Sequence, residues 1–473
     1  MKLKKLLADI KVEKLTGRDT IDIISVKSDS REISRGCMFV AYKGVDTDGH
    51  LFISKAIENG ANAVVYEDGN FDISGYSQNV TFIKVDDSRK ALALLASNYY
   101  DNAHKNMKLI GITGTNGKTT TCELTYQLLK KLNKKVGLIS TVSAKYSNKE
   151  IDTGYHVTTP DALSLHKLLH EMYTNKCEYV IIETTSHGLD QDRTWGLLFQ
   201  VGVITNVTPE HLDYHKTFDK YLEAKTKIFA QSKKILLNSH DPSIDKLIQH
   251  IPLSANWRKV DYEELKIPDV FKKHFPGQYN LENLGMAHAI VYEVTGLDTS
   301  KYFSKLHSVE GRMENIKTDR GIQIIIDFAH DAVSLEKALK TVRGLTDKNV
   351  IVVFGCAGLR DRQKRPKMGS VAIKLADKVV ITSEDPRTEK VEDIIKEIEN
   401  GAIEAGGKKG INYFIKKDRA EAINFAINTL AQTGDLVIVT GKGHEKSMCF
   451  GTTEIPWSDR DEIRKALLNT KAT

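Results

Sequence analysis

Short apolar runs alternate with amphipathic stretches of helical spacing along most of the chain. From about residue 107 the runs are continuous rather than alternating, which is the pattern of strands buried on both faces of a parallel sheet. Met107-Lys-Leu-Ile-Gly-Ile112, Val136-Gly-Leu-Ile-Ser140, Tyr179-Val-Ile-Ile-Glu183 and Val201-Gly-Val-Ile-Thr205 predict four such strands. A helical pattern from Thr119 to about Lys131 follows the first of them. A second series reads Ile322-Gln-Ile-Ile-Ile-Asp327, Asn349-Val-Ile-Val-Val-Phe354, Lys378-Val-Val-Ile-Thr382 and Asp435-Leu-Val-Ile-Val-Thr440, again with helical patterns between. Before residue 104 the strand-like pieces are shorter, among them Cys37-Met-Phe-Val-Ala41 and Ala63-Val-Val-Tyr66. The polar stretch Asp101-Asn-Ala-His-Lys-Asn106 reads as a linker. Three α/β blocks result, with boundaries near residues 104 and 309: 1–104, 105–309 and 310–473.

The strands of the last block each run into a polar cluster. These are Asp327-Phe-Ala-His330, Gly355-Cys-Ala-Gly-Leu-Arg360, Glu384-Asp-Pro-Arg387 and Gly441-Lys-Gly-His-Glu445. Ligands of open α/β sheets bind at the carboxyl ends of strands, so four such clusters predict one crevice. Ordinary polar loops are the plainer reading, but arginine, histidine and glycine recur where simple turn residues would suffice.

Composition narrows the class. The chain has 473 residues, 41% hydrophobic and 27% charged, close to a globular average. The net charge of +6 comes from 68 basic and 62 acidic residues and does not predict nucleic-acid binding. No apolar run is long enough to span a membrane, and the first residues do not read as a signal peptide. Cys37, Cys122, Cys177, Cys356 and Cys449 are scattered, without metal-ligand spacing, which predicts reduced thiols in a cytoplasmic protein.

The strongest local chemistry is Gly111-Ile-Thr-Gly-Thr-Asn-Gly-Lys-Thr119, set between a strand and a helix. Gly114 and Gly117 allow a tight turn whose N–H groups face phosphate oxygens, and the helix start adds its positive dipole end. Lys118 can reach a terminal phosphate, and the Thr119 hydroxyl can ligate Mg²⁺. The usual first glycine is missing, since Ile112 stands five places before Gly117. Glu183 ends a strand, where its carboxylate could hold a metal, although Thr and Ser after it also suit a helix cap. Thr205-Asn-Val-Thr-Pro-Glu-His-Leu-Asp-Tyr-His215 offers further metal-binding side chains. Lys225, within a helical pattern, reads by itself as one lysine on a solvated face.

Together these residues resemble the Mur ligases, and within them the UDP-N-acetylmuramoyl-tripeptide synthetases, over nearly the whole chain. The carriers are Thr113-Gly-Thr-Asn-Gly-Lys-Thr119; Ser28-Asp-Ser-Arg31, Phe39-Val-Ala41 and Asp48-Gly-His50; Thr158-Thr-Pro160, Ser186-His-Gly188, Gln191, Arg193 and His211-Leu-Asp213. Asn280, Asn283, Gly311-Arg-Met-Glu314, Lys364-Arg-Pro366 and Gly441-Lys-Gly-His-Glu445 continue the likeness to the C-terminal block. The resemblance implies a UDP-sugar-binding domain, a central parallel-sheet ATPase domain and a Rossmann-like domain for the incoming amino acid. It implies that an amino acid is joined to UDP-MurNAc-L-Ala-D-Glu through an acyl phosphate, at the expense of ATP, in peptidoglycan precursor synthesis.

Residue by residue, the resemblance implies that Gly114, Thr115, Asn116, Gly117, Lys118, Thr119 and Thr120 cradle ATP. Asn280, Arg312, Asp327 and His330 face the nucleotide. Thr119 and Glu183 hold one Mg²⁺ and His211 helps hold a second, near a Lys225 carboxylated by CO₂. Lys118, Glu183, His211 and Lys225 form the catalytic set. Ser30, Thr158, Thr159, Thr185, Gln191 and Arg193 contact the UDP-sugar peptide. Arg360, Glu384, Asp385, Pro386, Arg387, Gly441 and Glu445 grip the incoming amino acid. The substrates are thus all small molecules, and the enzyme is expected to be a monomer.

Three positions depart from the family pattern. Thr185 stands where serine is usual, Asp331-Ala-Val333 replaces Thr-Pro-Asp, and Glu384-Asp-Pro-Arg387 replaces Asp-Asn-Pro-Arg. Arg387 and Arg360 suit the distal carboxylate of meso-diaminopimelate. Glu384 and Asp385 pull toward the distal ammonium of L-lysine. The arginines are weighed more heavily, so meso-diaminopimelate is the expected substrate and L-lysine the alternative. A related ligase such as folylpolyglutamate synthetase would lack the first-block motifs. A nucleotide-binding regulator without turnover would not need Lys118, Glu183, His211 and Lys225 together.

Overall fold

The computed structural model describes residues 1–468 except Asp46, 68–72, 77–78 and 152–157. Two compact units are formed, one from Met1–Leu265 with Glu282–Ser300, the other from Lys266–Leu281 with Lys301–Thr473.

The first unit holds two sheets. Strands β1 (Val12–Thr16), β2 (Val26–Lys27), β3 (Cys37–Val40), β4 (Ala61–Tyr66) and β5 (Thr81–Val85) are ordered β1-β5-β4-β3-β2. Only β1 pairs antiparallel there. The second sheet is built from β6 (Lys108–Thr113), β7 (Val136–Ile139), β8 (Ala144–Tyr146), β9 (Lys149–Ile151), β10 (Tyr179–Glu183), β11 (Phe199–Ile204), β12 (Lys234–Asn238) and β13 (Asn256–Val260). Its order is β13-β12-β11-β6-β10-β7-β8-β9, parallel from β13 to β7 and antiparallel beyond. Four strands of this sheet match the apolar runs read from the sequence to within about two residues, the usual uncertainty of a strand end. The strands that flank these four, β12 and β13 on one side and β8 and β9 on the other, have no counterpart among those runs.

The Asp101–Asn106 stretch is less exposed than a linker. Ala103–Asn106 forms a 3₁₀ turn, and Ala103 and His104 are buried. The His104 ring lies 5.3 Å from that of His166, on the helix Ala162–Thr174.

The second unit carries β14 (Glu314–Ile316), β15 (Gln323–Asp327), β16 (Val350–Phe354), β17 (Lys378–Ile381), β18 (Tyr413–Ile415) and β19 (Leu436–Thr440). They are ordered β14-β15-β19-β16-β17-β18, all parallel except β14. A hairpin of β20 (Ser447–Phe450) and β21 (Thr453–Pro456) stands beside this sheet. Every residue of β16 and β19 is buried. Each such Val, Ile, Leu or Phe contributes roughly 1.5–3 kcal/mol relative to exposure, which is why these runs carry no polar alternation. Among the described residues no helix is long and apolar enough to cross a membrane.

Candidate active site

In the first unit the ends of β11, β6, β10 and β7 are neighbours, so the loops that follow them converge. The loop after β6 runs into the helix Lys118–Lys131 through Gly117, which has a left-handed φ of +82°. A Cβ there would come 2.3 Å from Asn283 Oδ1, and one on Gly114 would come 1.9 Å from Thr205 Oγ1. Only glycine fits either place. The loop is pinned from β11: Thr205 Oγ1 donates to Asn116 O at 2.7 Å, and Asn206 both donates to Asn116 O (2.9 Å) and accepts from Asn116 N (3.0 Å). Thr115 Oγ1 lies 2.8 Å from Tyr221 Oη. Lys118 Nζ donates to the carbonyls of Gly114 (3.0 Å) and Thr115 (2.7 Å), so it is folded over its own loop.

Glu183, the last residue of β10, is buried. Its Oε1 accepts from Thr119 Oγ1 at 2.9 Å and from Thr141 Oγ1 at 3.0 Å, while Oε2 accepts from Thr141 N at 3.0 Å. A carboxylate and a hydroxyl so juxtaposed beside a phosphate loop are hard oxygen donors of the kind Mg²⁺ takes. Thr141 was not singled out in the sequence, and its only signal there is a polar residue just past a buried strand. Thr141 Oγ1 also lies 3.0 Å from Thr158 Oγ1.

The neighbouring residues form one network. Thr159 Oγ1 donates to Glu183 O at 3.1 Å and accepts from Thr185 N at 2.8 Å. Thr185 caps the helix Ser186–Asp190, its hydroxyl accepting from Gly188 N at 2.9 Å, so threonine does here what serine would do. Arg193 donates to Thr159 O at 2.6 Å and to Gln191 Oε1 at 2.7 Å. Thr158, Thr159, Thr185, Gln191 and Arg193 therefore meet beside Thr119 and Glu183. Ser30 belongs to a 3₁₀ turn near the first sheet, where its carbonyl accepts from Asn59 Nδ2 at 2.9 Å.

Lys225 departs most from its sequence reading. It lies on the helix Phe218–Ala230 and is 1% exposed, not solvated. Its Nζ donates to Gly114 O at 2.7 Å and sits 4.5 Å from the centre of the Tyr221 ring. Burial, with the charge of Lys118 close by, holds this amine well below the ordinary lysine range. Nearby, the ring of His211 is 4.9 Å from that of His187, and the His187 ring is 4.3 Å from Tyr214. Burial and the adjoining histidines press His187 down to about 4. His215 Nε2 lies 3.0 Å from Ser186 Oγ. His211 itself is a left-handed residue (φ +54°) opening the turn Leu212–His215.

In the second unit, Asp327 ends β15 with its carboxylate accepting from Met313 N (2.8 Å) and Ala329 N (2.9 Å). Arg312 lies 4.4 Å from the Phe328 ring centre, and Lys364 Nζ donates to His330 O at 2.7 Å. Asn280 is buried and donates to Pro276 O at 2.8 Å. The altered Asp331-Ala332-Val333 segment opens the helix Ala332–Arg343. Asp331 caps it in a reciprocal box with Ser334.

The loop after β17 is strained: Asp385 and Arg387 both have left-handed φ, +36° and +52°. It is tied to the hairpin by Arg387 N donating to Cys449 O (3.0 Å) and Gly451 N to Arg387 O (2.8 Å). Asp385 is already engaged by an ammonium group of the protein itself. Its carboxylate is buried, accepting from Lys442 Nζ (2.8 Å) and Cys449 N (3.0 Å). Lys442, wholly enclosed, also pairs with Glu445. Glu384 is buried, and its Oε2 faces Gly441, where a Cβ would come within 2.6 Å. Burial pushes its carboxyl up to about 7 despite Lys364, Arg419 and Lys442, with Glu445 adding to the rise. Arg387 Nη1 reaches Gly358 O at 3.4 Å, beside the loop that carries Arg360.

Family models match residues 22–100 (Mur ligase family, catalytic domain), 112–291 (Mur ligase middle domain) and 311–443 (Mur ligase, glutamate ligase domain). The UDP-N-acetylmuramoyl-L-alanyl-D-glutamate–2,6-diaminopimelate ligase of Clostridium tetani is 37% identical over 99% of both chains. The similarly named ligase 1 of Clostridium acetobutylicum is 36% identical over 98% of both. A solved structure of a ligase of that name superposes with a TM-score of 0.65 at 27% identity, covering 100% of each chain. Alignment from end to end, across the phosphate loop and the strand-end loops of both units alike, shows that the chain belongs to the Mur ligase family.

Proposed function

We propose that the protein joins meso-diaminopimelate to the D-glutamate of UDP-MurNAc-L-Ala-D-Glu, converting ATP to ADP and phosphate. The observation that carries this is the convergence on one phosphate loop of three groups: Lys118, the Thr119–Glu183 pair at 2.9 Å and the enclosed Lys225 at Gly114 O. The names of the relatives supply the substrates.

The reaction starts with two anions that repel, a carboxylate and a triphosphate. Loop N–H groups and Lys118 would offset that repulsion where charge builds on the transferring phosphoryl group. The D-glutamate carboxylate attacks the γ-phosphorus and ADP leaves. The amine of the diamino acid then attacks the acyl carbon, and phosphate departs. Thr119 and Glu183 would hold one Mg²⁺; His211 and a carboxylated Lys225 would hold a second. These ions would screen the phosphate charge. Lys225 suits the modification because an enclosed amine with a lowered pKa keeps the lone pair that adds to CO₂, and the resulting carbamate has oxygens where the amine had none. Thr158, Thr159, Thr185, Gln191 and Arg193 would hold the peptide arm, and Ser30 the uridine end. Asn280, Arg312, Asp327 and His330 would face the nucleotide, with domain boundaries near residues 104 and 309.

The choice of meso-diaminopimelate over L-lysine is supported by the loop after β17. Asp385 pairs with Lys442, and Glu384 is drawn toward its neutral form, which favours the Arg387 guanidinium as the partner of a distal carboxylate. Phosphate release should require ATP, UDP-MurNAc-L-Ala-D-Glu and a diamino acid together, with kcat/KM higher for meso-diaminopimelate than for L-lysine. A preference for L-lysine would overturn the substrate, and release without any amino acid would overturn the ligase reading.

A further inference from the structure

The residues proposed above to take the incoming amino acid include two loops on different strands. One follows β17 and carries Glu384; the other follows β19 and begins at Gly441. β16 lies between these strands, so no ladder joins them. Lys442 Nζ in the second loop reaches Asp385 Oδ1 in the first at 2.8 Å, and Arg419 binds the chain at the head of both. Arg419 is the first residue of the helix Arg419–Phe425, and its side chain is wholly enclosed. Its Nη2 donates to Thr440 O at 2.8 Å, the carbonyl just before Gly441. Its Nη1 donates to Ser383 O at 3.4 Å, the carbonyl just before Glu384. The remaining edge of the guanidinium meets Asp459, Nε to Oδ1 and Nη2 to Oδ2, both at 2.7 Å. Asp459 is equally enclosed, opens the helix Asp459–Leu468 and accepts a third bond from Trp457 Nε1 at 2.9 Å.

A buried ion pair is a poor device for stability, because removing two charges from water costs about as much as their attraction returns. An apolar pair of similar size would fill the space as well. What an apolar pair cannot do is hold two carbonyls at a set separation. The planar fork of arginine can, and the single point charge of lysine cannot do so with the same geometry.

We infer that Arg419, itself held by Asp459, is a positioning residue for the incoming amino acid: it sets the spacing of the Glu384 and Gly441 loops and thereby the affinity for that substrate alone. The inference rests on the assignment of these loops to the diamino acid. Neither Arg419 nor Asp459 bonds to a residue proposed for ATP or the UDP-peptide.

The test compares wild type with Arg419→Lys and with the double variant Arg419→Met/Asp459→Leu, which removes both charges and so leaves none unpaired. KM is measured for meso-diaminopimelate, ATP and UDP-MurNAc-L-Ala-D-Glu, alongside thermal melting. The double variant should melt cooperatively and raise KM for meso-diaminopimelate by about tenfold or more, because misplaced binding groups cost affinity steeply. The other two KM values should stay within about twofold, and Arg419→Lys should fall between. A folded variant with wild-type KM for meso-diaminopimelate would overturn the inference, as would a parallel rise in all three KM values. Loss of the fold in both variants would show that the pair serves stability and would overturn it equally. A wild-type enzyme that uses L-lysine instead refutes the proposed substrate but leaves Arg419 to be read with lysine; one that uses no amino acid refutes the proposed function before any variant is read.

Discussion

Two residues of the site carry charges that their surroundings disfavour, and both can be tested singly. Lys225 is enclosed on its helix, 2.7 Å from Gly114 O, with Lys118 near it. An enclosed amine held below its usual range reacts with CO₂ at neutral pH, whereas an ammonium does not. The intact protein should carry a bicarbonate-dependent ¹³C carbamate signal that Lys225→Ala abolishes. That variant should be nearly inactive and partly restored by acetate or another short carboxylate. Full activity of Lys225→Ala would show that the amine has no part in the reaction. Glu384 is the second case. Its carboxyl lies at about 7 in the fold against 4.5 for an unperturbed one. A raised folded value means the folded state holds the proton more tightly, so stability is fully present below about pH 4.5 and is lost as pH rises through about 7. The loss is on the order of 3 kcal/mol by the time pH 8 is reached. Glu384→Gln should therefore melt higher than wild type at pH 8 and show a smaller decline between pH 5 and 8; equal pH profiles would contradict the assignment.

Elements matter here mostly at their ends. The loop after β6 works because β11 supplies Thr205 and Asn206 to pin it and β10 supplies Glu183 to meet Thr119. The helix Ala332–Arg343 shows how a departure from the family pattern is accommodated. Thr-Pro-Asp is replaced, and Asp331 moves into the capping position, accepting from Val333 N (2.8 Å) and Ser334 N (3.0 Å). Asp331→Ala should cost about 1 kcal/mol, read as a lowered melting temperature, because it strips the first turn of its acceptor. Unchanged melting would mean that water replaces the cap at no cost. The loop after β17 is the opposite case, with two left-handed non-glycine residues held in place by Lys442 and the β20–β21 hairpin.

At the scale of the whole molecule, the proposed reaction draws on both units. Lys118, Glu183 and Lys225 belong to the first, while Arg312, Asp327, Arg387 and Glu445 belong to the second. Phosphoryl transfer followed by amine attack needs these sets around one substrate, which makes ligand-driven closure the expected step. Scattering profiles should show a smaller radius of gyration with ATP analogue, UDP-peptide and diamino acid than with none. Identical profiles in the two conditions would argue that no such step occurs.

Pattern alone reached four strands in each of the two larger sheets, because a strand buried on both faces must be apolar throughout and its flanks must turn. It also reached the phosphate loop, whose glycines have no substitute where a Cβ would strike Thr205 or Asn283. The family resemblance named most of the remaining candidate site residues. Neither could decide what each side chain was spending its charge on. Lys225 on a helix looks like any surface lysine until β6 is laid against it. Asp385 looks like a lure for lysine until Lys442 and Cys449 N consume it. Arg419 and Asp459, 40 positions apart, give no signal at all until they close on each other between the ends of β17 and β19. Local periodicity is written in neighbours along the chain, and so it can be read from them. Burial and pairing of charge depend on residues distant in sequence, and only the folded chain brings those together.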